Sequence, residues 1–156
     1  MDTLIVIGAK YLIFVVAFLA GTATLLSGKA VRWNIIKLAV LSFISAFLLA
    51  LLASRLFYDT RPFVVEHIEP LIPHDADNGF PSEHALYAMV AAAVVFVYSR
   101  RLGVFLAILA VLMGLSRVFA KVHYPVDIVG SVAIAIAATG IAWIIFKTLH
   151  KNRHLS

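Results

Sequence analysis

The sequence predicts an all-α membrane protein, a polytopic bundle of about five transmembrane helices. Of its 156 residues, 63% are hydrophobic and only 13% are charged, compared with about 45–50% and 25% in an ordinary soluble domain. The mean hydropathy is +1.01. Each crossing needs about 20 apolar residues, so five crossings use nearly the whole chain. We therefore expect one membrane-embedded domain over residues 1–156 and no separate soluble module.

Five apolar segments, each bounded by turn-forming or charged residues, are the predicted spans. They run over about residues 4–26, 33–57, 84–99, 102–120 and 126–146. The first is too long for the core of a signal peptide and is preceded by Asp2 instead of a basic cluster, so we interpret it as a retained span. Alanine, glycine and serine scattered through the last three segments favour close packing between membrane helices.

Basic and acidic residues separate to opposite ends of these segments. Eight basic residues lie at or near one face: Lys29, Arg32, Lys37, Arg100, Arg101, Lys147, Lys151 and Arg153. All eight acidic residues lie at the other: Asp2, Asp59, Glu66, Glu69, Asp75, Asp77, Glu83 and Asp127. Because basic residues accumulate on the cytoplasmic side, we expect the N-terminus and the long loop over 58–82 outside and the C-terminus inside. This bias explains the net charge of +5 without a nucleic-acid partner.

Three polar blocks stand out against the apolar background, at residues 55–62, 81–84 and 116–127. The first follows the second span, the next opens the third span, and the last connects the fourth and fifth spans. All three therefore converge on one face of the membrane, the expected outer face. Ionisable groups beside apolar spans are costly to keep and mark a functional site by default.

The blocks contain groups suited to binding a phosphate. Arg61 and Arg117, with Arg55 nearby, each offer five donors in a planar fork that does not deprotonate. Pro81 and Ser82 precede an apolar run and predict a helix start, with Ser82 as a cap and the free N–H groups of the first turn as an anion site. The alternatives are contacts with lipid headgroups for the arginines and a purely capping role for the serine.

The histidines suggest a nucleophile and an acid. His123 lies four residues before Asp127, and Pro125 between them suits the first turn of the last span. A carboxylate there can fix the histidine tautomer and stabilise the imidazolium, which makes the other ring nitrogen a competent nucleophile; alternatively it only stabilises its own helix terminus. His84 is a candidate general acid.

A metal site is the other interpretation of these three side chains. Two histidines and one carboxylate, at His84, His123 and Asp127, could hold a transition metal. The neighbouring arginines argue against it, because they repel a divalent cation and attract a phosphate. The absence of cysteine excludes thiolate ligands. We expect no metal and no cofactor.

The three blocks resemble a known family. The pattern Ser-Arg-x5-His-x3-Asp over 116–127 matches without a gap the third signature of the type 2 phosphatidic acid phosphatase superfamily of membrane lipid phosphatases. Pro-Ser-Glu-His over 81–84 is similar to its second signature, with Glu83 in the place of a glycine. Arg61-Pro62 resembles the end of its first signature, in which Arg55 stands one residue closer than the usual lysine. The resemblance covers residues 55–127.

This resemblance implies a metal-independent phosphatase that forms a phosphohistidine on His123, oriented by Asp127, with His84 as acid and then as base for water. It also implies that the phosphate is bound, and the transition state stabilised, by residues from all three blocks. Such stabilisation usually contributes most to this kind of catalysis. The implied set is Arg55, Arg61, Ser82, Glu83 and Arg117.

The expected substrate is a lipid whose phosphate lies at the membrane surface while its tail lies between helices. The short chain with an acidic residue in the second block resembles the bacterial undecaprenyl pyrophosphate phosphatases, plasma-membrane enzymes that recycle the carrier lipid of the cell wall. The alternative is a phosphatidylglycerophosphate or phosphatidic acid phosphatase. A small anion transporter or channel is more remote, because it needs polar groups at membrane depth and the centres of the last three segments are apolar.

Overall fold

The computed structural model describes residues 1–152, and side chains as far as residue 149. Within this part of the chain there are six helices: α1 Asp2–Leu26, α2 Lys29–Leu56, α3 Pro62–Val65, α4 Glu83–Tyr98, α5 Arg100–Phe119 and α6 Pro125–Asn152. The five longer helices coincide with the five predicted segments, whereas the single-turn α3 was not predicted. Their ends agree to within a few residues, except that α6 continues past its predicted end. The side chain of Lys151, and Arg153 as a whole, lie outside the described residues.

Helix formation follows from long apolar runs free of internal proline. Pro62 and Pro125 occupy the first position of α3 and α6, where a missing N–H costs no hydrogen bond. Four helices, α1, α2, α5 and α6, are long and apolar enough to cross a membrane, whereas α4 is shorter, with 16 residues. The prediction of a polytopic membrane helix bundle is therefore confirmed.

The shorter helix α4 lies at the centre of the bundle, packed against α1, α2, α5 and α6. Most of its side chains are buried, whereas the surrounding helices expose large apolar side chains such as Phe14, Phe18 and Phe47. Contact between α4 and α5 depends on Gly103, since a Cβ atom there would collide with the backbone of Phe96. The small residues thus permit the close helix packing expected from the sequence.

The loop between α2 and α4, which contains α3, is fastened to the end of α5 and to the residues that directly follow it. Backbone N–H groups of Phe63 and Leu71 donate hydrogen bonds of 3.2 Å to the carbonyls of Lys121 and Ala120. Ile72 is buried in a small apolar cluster with Ala9, Ala120 and Val122. We call this segment, residues 57–82, the outer loop. Its anchoring places loop side chains at defined positions over the end of the bundle.

Candidate active site

A cavity of about 390 Å³ opens where the outer loop meets the ends of α2, α4 and α5. All three polar blocks contribute to it. Its lining includes Arg61, Glu83, His84, Arg117 and His123 from these blocks, together with outer-loop and helix residues: Phe47, Ala50, Leu51, Ser54, His74, Asp77, Asn78, Phe80, Pro81 and Tyr87. Five of the eight side chains that the sequence singled out therefore share one cavity, whereas Arg55, Ser82 and Asp127 do not line it.

His123 and Asp127 form a buried pair. The Nδ1 atom of His123 lies 3.2 Å from Oδ2 of Asp127, which also accepts a 2.9 Å hydrogen bond from the backbone N–H of Tyr124. The two side chains are 2% and 0% exposed. Asp127 stands in the first turn of α6, as its spacing from His123 and Pro125 predicts.

The partners of His123 define its tautomer. An ionised carboxylate only accepts hydrogen bonds, so the proton lies on Nδ1. Nε2 lies 3.4 Å from Nη1 of Arg61, which is a donor only, and this contact is consistent with an unprotonated Nε2. Burial lowers the pKa of His123, opposed by the hydrogen bond to Asp127 and reinforced by the charges of Arg117 and Arg61. The imidazole is therefore neutral at neutral pH, with its lone pair available.

A second carboxyl group, that of Asp59, lies close to the His123–Asp127 pair. The sequence analysis did not single it out. Burial raises the pKa of Asp59, and the charge of Asp127 adds to the rise. Gly79 lies between them: a Cβ atom there would lie 3.1 Å from the carbonyl oxygen of Asp59 and 3.2 Å from Oδ2 of Asp127. The only sequence signal was the position of Asp59 inside the first polar block.

Arg61 is held from several sides. Its Nε donates to Oδ1 of Asp77 at 2.7 Å, Nη1 donates to the carbonyl of Val122 at 2.8 Å, and Nη2 donates to the carbonyl of Asn78 at 3.3 Å. The side chain is 5% exposed. These contacts fix a permanent positive charge beside Nε2 of His123.

Asn78 supports the segment that carries this arginine. Its Oδ1 accepts hydrogen bonds from the backbone N–H groups of Asp59 and Phe80, and its Nδ2 donates to the carbonyls of Ser54 and Phe57. The amide side chain thus ties the end of α2 to the segment that enters α4. No local sequence pattern distinguished Asn78.

Arg117 supplies the second buried cation, from the last turn of α5. One of its terminal nitrogens, Nη1, donates to the carbonyl of Ala9 in α1 at 3.3 Å. Its Nε is buried and has no partner within the described part of the chain. A donor left free beside a cavity is available to an anion.

The start of α4 adds backbone donors. Ser82 occupies the N-cap position, but its hydroxyl makes no capping hydrogen bond. Its Oγ is buried without a partner among the described residues, and it does not line the cavity. The carbonyl of Ser82 accepts from Leu86 N–H and from Ser131 Oγ, both at 2.9 Å. The first N–H groups of α4, beside His84, have no intrahelical acceptor and present the positive helix terminus to the cavity.

Arg55, like Ser82 and Asp127, does not line the cavity. It is exposed, in the last turn of α2. Glu83 and His84 do line the cavity, in the first turn of α4. Across the described residues, histidines and carboxylates nowhere form a group of three able to hold a metal, so His84, His123 and Asp127 are not arranged as metal ligands.

Two ionisable side chains of the outer loop that line the cavity were missed as site residues, His74 and Asp77. The ring of His74 lies 6.0 Å from that of His123, centroid to centroid, at an interplanar angle of 80°. The sequence indicated only that the loop lies on the same side as the polar blocks. The place of His74 and Asp77 in the cavity depends on how the loop folds back.

Comparison with known proteins identifies relatives of this chain. A model of the PAP2 superfamily matches residues 34–151. The chain is 31% identical over 136 residues to "Undecaprenyl-diphosphatase BcrC" of Bacillus subtilis (strain 168), an alignment that covers 87% of this chain and 70% of the relative. It is 34% identical over 154 residues to YbjG of Escherichia coli (strain K12), covering 97% of this chain and 77% of the relative.

A solved structure has a similar fold. The crystal structure of Aquifex aeolicus LpxE superposes with a TM-score of 0.69, covering 91% of this chain and 84% of that one, at 23% sequence identity. The likeness extends over nearly the whole helix bundle. At this identity it concerns the fold alone.

Proposed function

Because the chain belongs to the PAP2 superfamily, we propose that it is an integral-membrane lipid phosphatase that converts undecaprenyl diphosphate to undecaprenyl phosphate. The observation that carries the chemistry is the pair His123–Asp127, which turns an unprotonated Nε2 toward a fixed arginine, Arg61. The name of the relative from Bacillus subtilis supports the choice of lipid. We further propose that residues 1–156 act as one phosphatase domain.

The first chemical step is attack by Nε2 of His123 on the terminal phosphorus. A P–N bond forms while the P–O bond to the lipid phosphate breaks. His84, as general acid, delivers a proton to the leaving oxygen, and Asp127 stabilises the imidazolium that results. The product of this step is a phosphohistidine and the free lipid monophosphate.

The second step returns the enzyme to its starting state. His84, now neutral, takes a proton from water while the water oxygen attacks phosphorus. The P–N bond breaks, inorganic phosphate leaves, and Nε2 of His123 regains its lone pair. Lipid diphosphate and water are thereby converted to lipid monophosphate and phosphate, without a redox partner or a cofactor.

Charge stabilisation comes from groups already in place. Arg61 and Arg117 are buried, and the N-terminus of α4 is rigidly attached to the bundle core. Donors fixed before the reaction stabilise developing charge without reorganisation, which is usually the largest contribution to such catalysis. Arg55 is exposed, and Ser82 is fully buried and does not line the cavity, so the proposed phosphate contacts depend on the two buried arginines and the helix amides.

A lipid substrate is supported by the apolar side of the cavity. Phe47, Ala50 and Leu51 of α2 line it opposite the polar groups, and Phe47 and Leu51 are also exposed on the bundle surface. An acyl or prenyl chain can therefore run from the cavity into the membrane along α2. With the outer loop outside, as the charge distribution predicts, the cavity opens to the exterior or periplasm.

Phosphate release from a panel of lipids tests the proposal. The purified full chain would be supplied with undecaprenyl diphosphate, phosphatidylglycerophosphate and phosphatidic acid, with EDTA and with added Mg²⁺, and His123→Asn would serve as the inactive control. We expect the diphosphate to react fastest, equally well in EDTA, with inhibition by vanadate, which mimics pentacoordinate phosphorus. Faster reaction of a glycerophospholipid would favour the alternative lipid phosphatase, and a requirement for Mg²⁺ would overturn the metal-independent mechanism.

A further inference from the structure

His74 is a cavity residue that the two steps above leave unused. It lies in the outer loop, half-buried, and lines the cavity with Arg61, Arg117 and His123. Its ring meets that of His123 edge to face, with 6.0 Å between the centroids. A side chain this close to the nucleophile can reach a group bonded to the phosphorus under attack.

The loop holds His74 in place from both sides. Two residues earlier, Ile72 is 3% exposed in the apolar cluster with Ala120 and Val122. Three residues later, Asp77 accepts the 2.7 Å hydrogen bond from Arg61. A side chain between two anchors is preorganised, so little conformational freedom is lost when it binds a ligand.

The two arginines of the cavity spend part of their donor capacity within the protein. Arg61 makes three hydrogen bonds within the protein, and Arg117 makes one to α1, which leaves a limited set of N–H groups for the three oxygens of the transferred phosphoryl group. A lipid diphosphate brings a second phosphate with two more non-bridging oxygens. A lipid monophosphate does not, so a donor for those oxygens discriminates between the two substrates.

We propose that His74 binds the second, lipid-linked phosphate and so makes the site selective for lipid diphosphates over lipid monophosphates. This inference rests on the proposed function and refines the substrate of the same site. Burial lowers the pKa of His74, and the charges of Arg61 and Arg117 lower it further. The free ring is thus neutral, with one N–H donor, and a bound diphosphate favours its protonation because an adjacent anion stabilises the charged form.

Kinetics on a matched pair of substrates tests this role. His74→Ala in the full-length chain would be assayed with farnesyl diphosphate and farnesyl monophosphate, which share one tail. We expect kcat/KM for the diphosphate to fall about tenfold or more, as for loss of one charge-assisted hydrogen bond, and that for the monophosphate to change less than about twofold. Equal loss on both substrates would show that His74 only positions His123, and equal retention would show that it contacts neither phosphate; each result overturns the proposal.

A control and a binding measurement separate this inference from the proposed function. His67→Asn removes an exposed histidine of the same loop, and asparagine tolerates its left-handed backbone, φ 53°; it should match the wild type on both substrates. Calorimetric titration with inorganic pyrophosphate and with phosphate requires no turnover. Weaker pyrophosphate binding by His74→Ala, with phosphate binding unchanged, would support the second-phosphate site even if no lipid were hydrolysed, and unchanged pyrophosphate binding would contradict it.

Discussion

Arg61 and Asp77 form an ion pair, Nε to Oδ1 at 2.7 Å, that joins the beginning and the end of the outer loop beside the cavity. The arginine is 5% exposed and the carboxylate side chain 63% exposed, so a surface carboxylate orients a buried cation. Burial acts to raise the pKa of Asp77, but the hydrogen bond and charge of Arg61 outweigh it and hold the pKa below its usual value. Asp77 is therefore ionised wherever the enzyme is expected to work.

Removing this carboxylate should impair catalysis through Arg61. We expect Asp77→Ala to lower kcat/KM about tenfold, or about 1.4 kcal/mol of transition-state stabilisation, because the freed guanidinium no longer holds its place beside His123. Asp77→Asn keeps an acceptor oxygen and should lose less. Steady-state phosphate release measures both. Asp75→Ala, an exposed carboxylate two residues earlier, is the matched control, and a loss there as large as in Asp77→Ala would refute the role of the ion pair.

The nucleophile assignment makes a separate prediction. His123→Ala should abolish turnover while leaving substrate binding largely intact, because the missing step cannot be replaced by binding. Rapid acid-free quenching with substrate labelled at the terminal phosphate should trap label on the wild type and none on the variant. Substantial turnover by His123→Ala would exclude a phosphohistidine at this position.

Two histidines of the cavity, His123 and His74, should make stability depend on pH. Burial lowers the pKa of both His123 and His74. At a pH between their pKa in the folded protein and the ordinary histidine pKa of about 6.5, the unfolded chain therefore binds more protons than the folded one. The free energy of unfolding therefore decreases as the pH falls below about 6.5. Thermal unfolding in detergent, from about pH 7.5 to 5, should show a falling midpoint and a flatter profile for His123→Asn. His67→Asn should keep the wild-type slope; an unchanged slope in His123→Asn would count against the lowered pKa.

Orientation can be tested with single cysteines, because the chain has none. Glu69 is exposed on the outer loop and Arg101 is exposed at the opposite end of the bundle, at the start of α5. Asp77 belongs to the acidic residues predicted to lie outside, but it is unsuitable for the cysteine substitution because it forms an ion pair with Arg61. In intact cells a membrane-impermeant maleimide should label Glu69→Cys and spare Arg101→Cys until the membrane is permeabilised. The reverse pattern would put the cavity on the cytoplasmic side and leave its chemistry unaffected.

Local sequence determined the helices and the contact between His123 and Asp127. Apolar runs set the positions of α1, α2, α4, α5 and α6 because helix hydrogen bonds and membrane burial depend on contiguous residues. The contact between His123 and Asp127 was predictable for the same reason: four residues and one proline-started turn join them. The order of the spans along the chain likewise placed the three polar blocks on one face.

Only the tertiary structure decided which other polar side chains enter the cavity. Arg61 meets Asp77 and Val122 across 16 and 61 residues of sequence, and His74 reaches His123 only because Ile72 buries itself against the end of α5. Conversely, Arg55 and Ser82 lie inside the polar blocks, yet Arg55 is exposed at the end of α2 and Ser82 is fully buried without lining the cavity. The position of the outer loop depends on long-range packing and backbone hydrogen bonds, and such contacts produce no periodic pattern in the sequence.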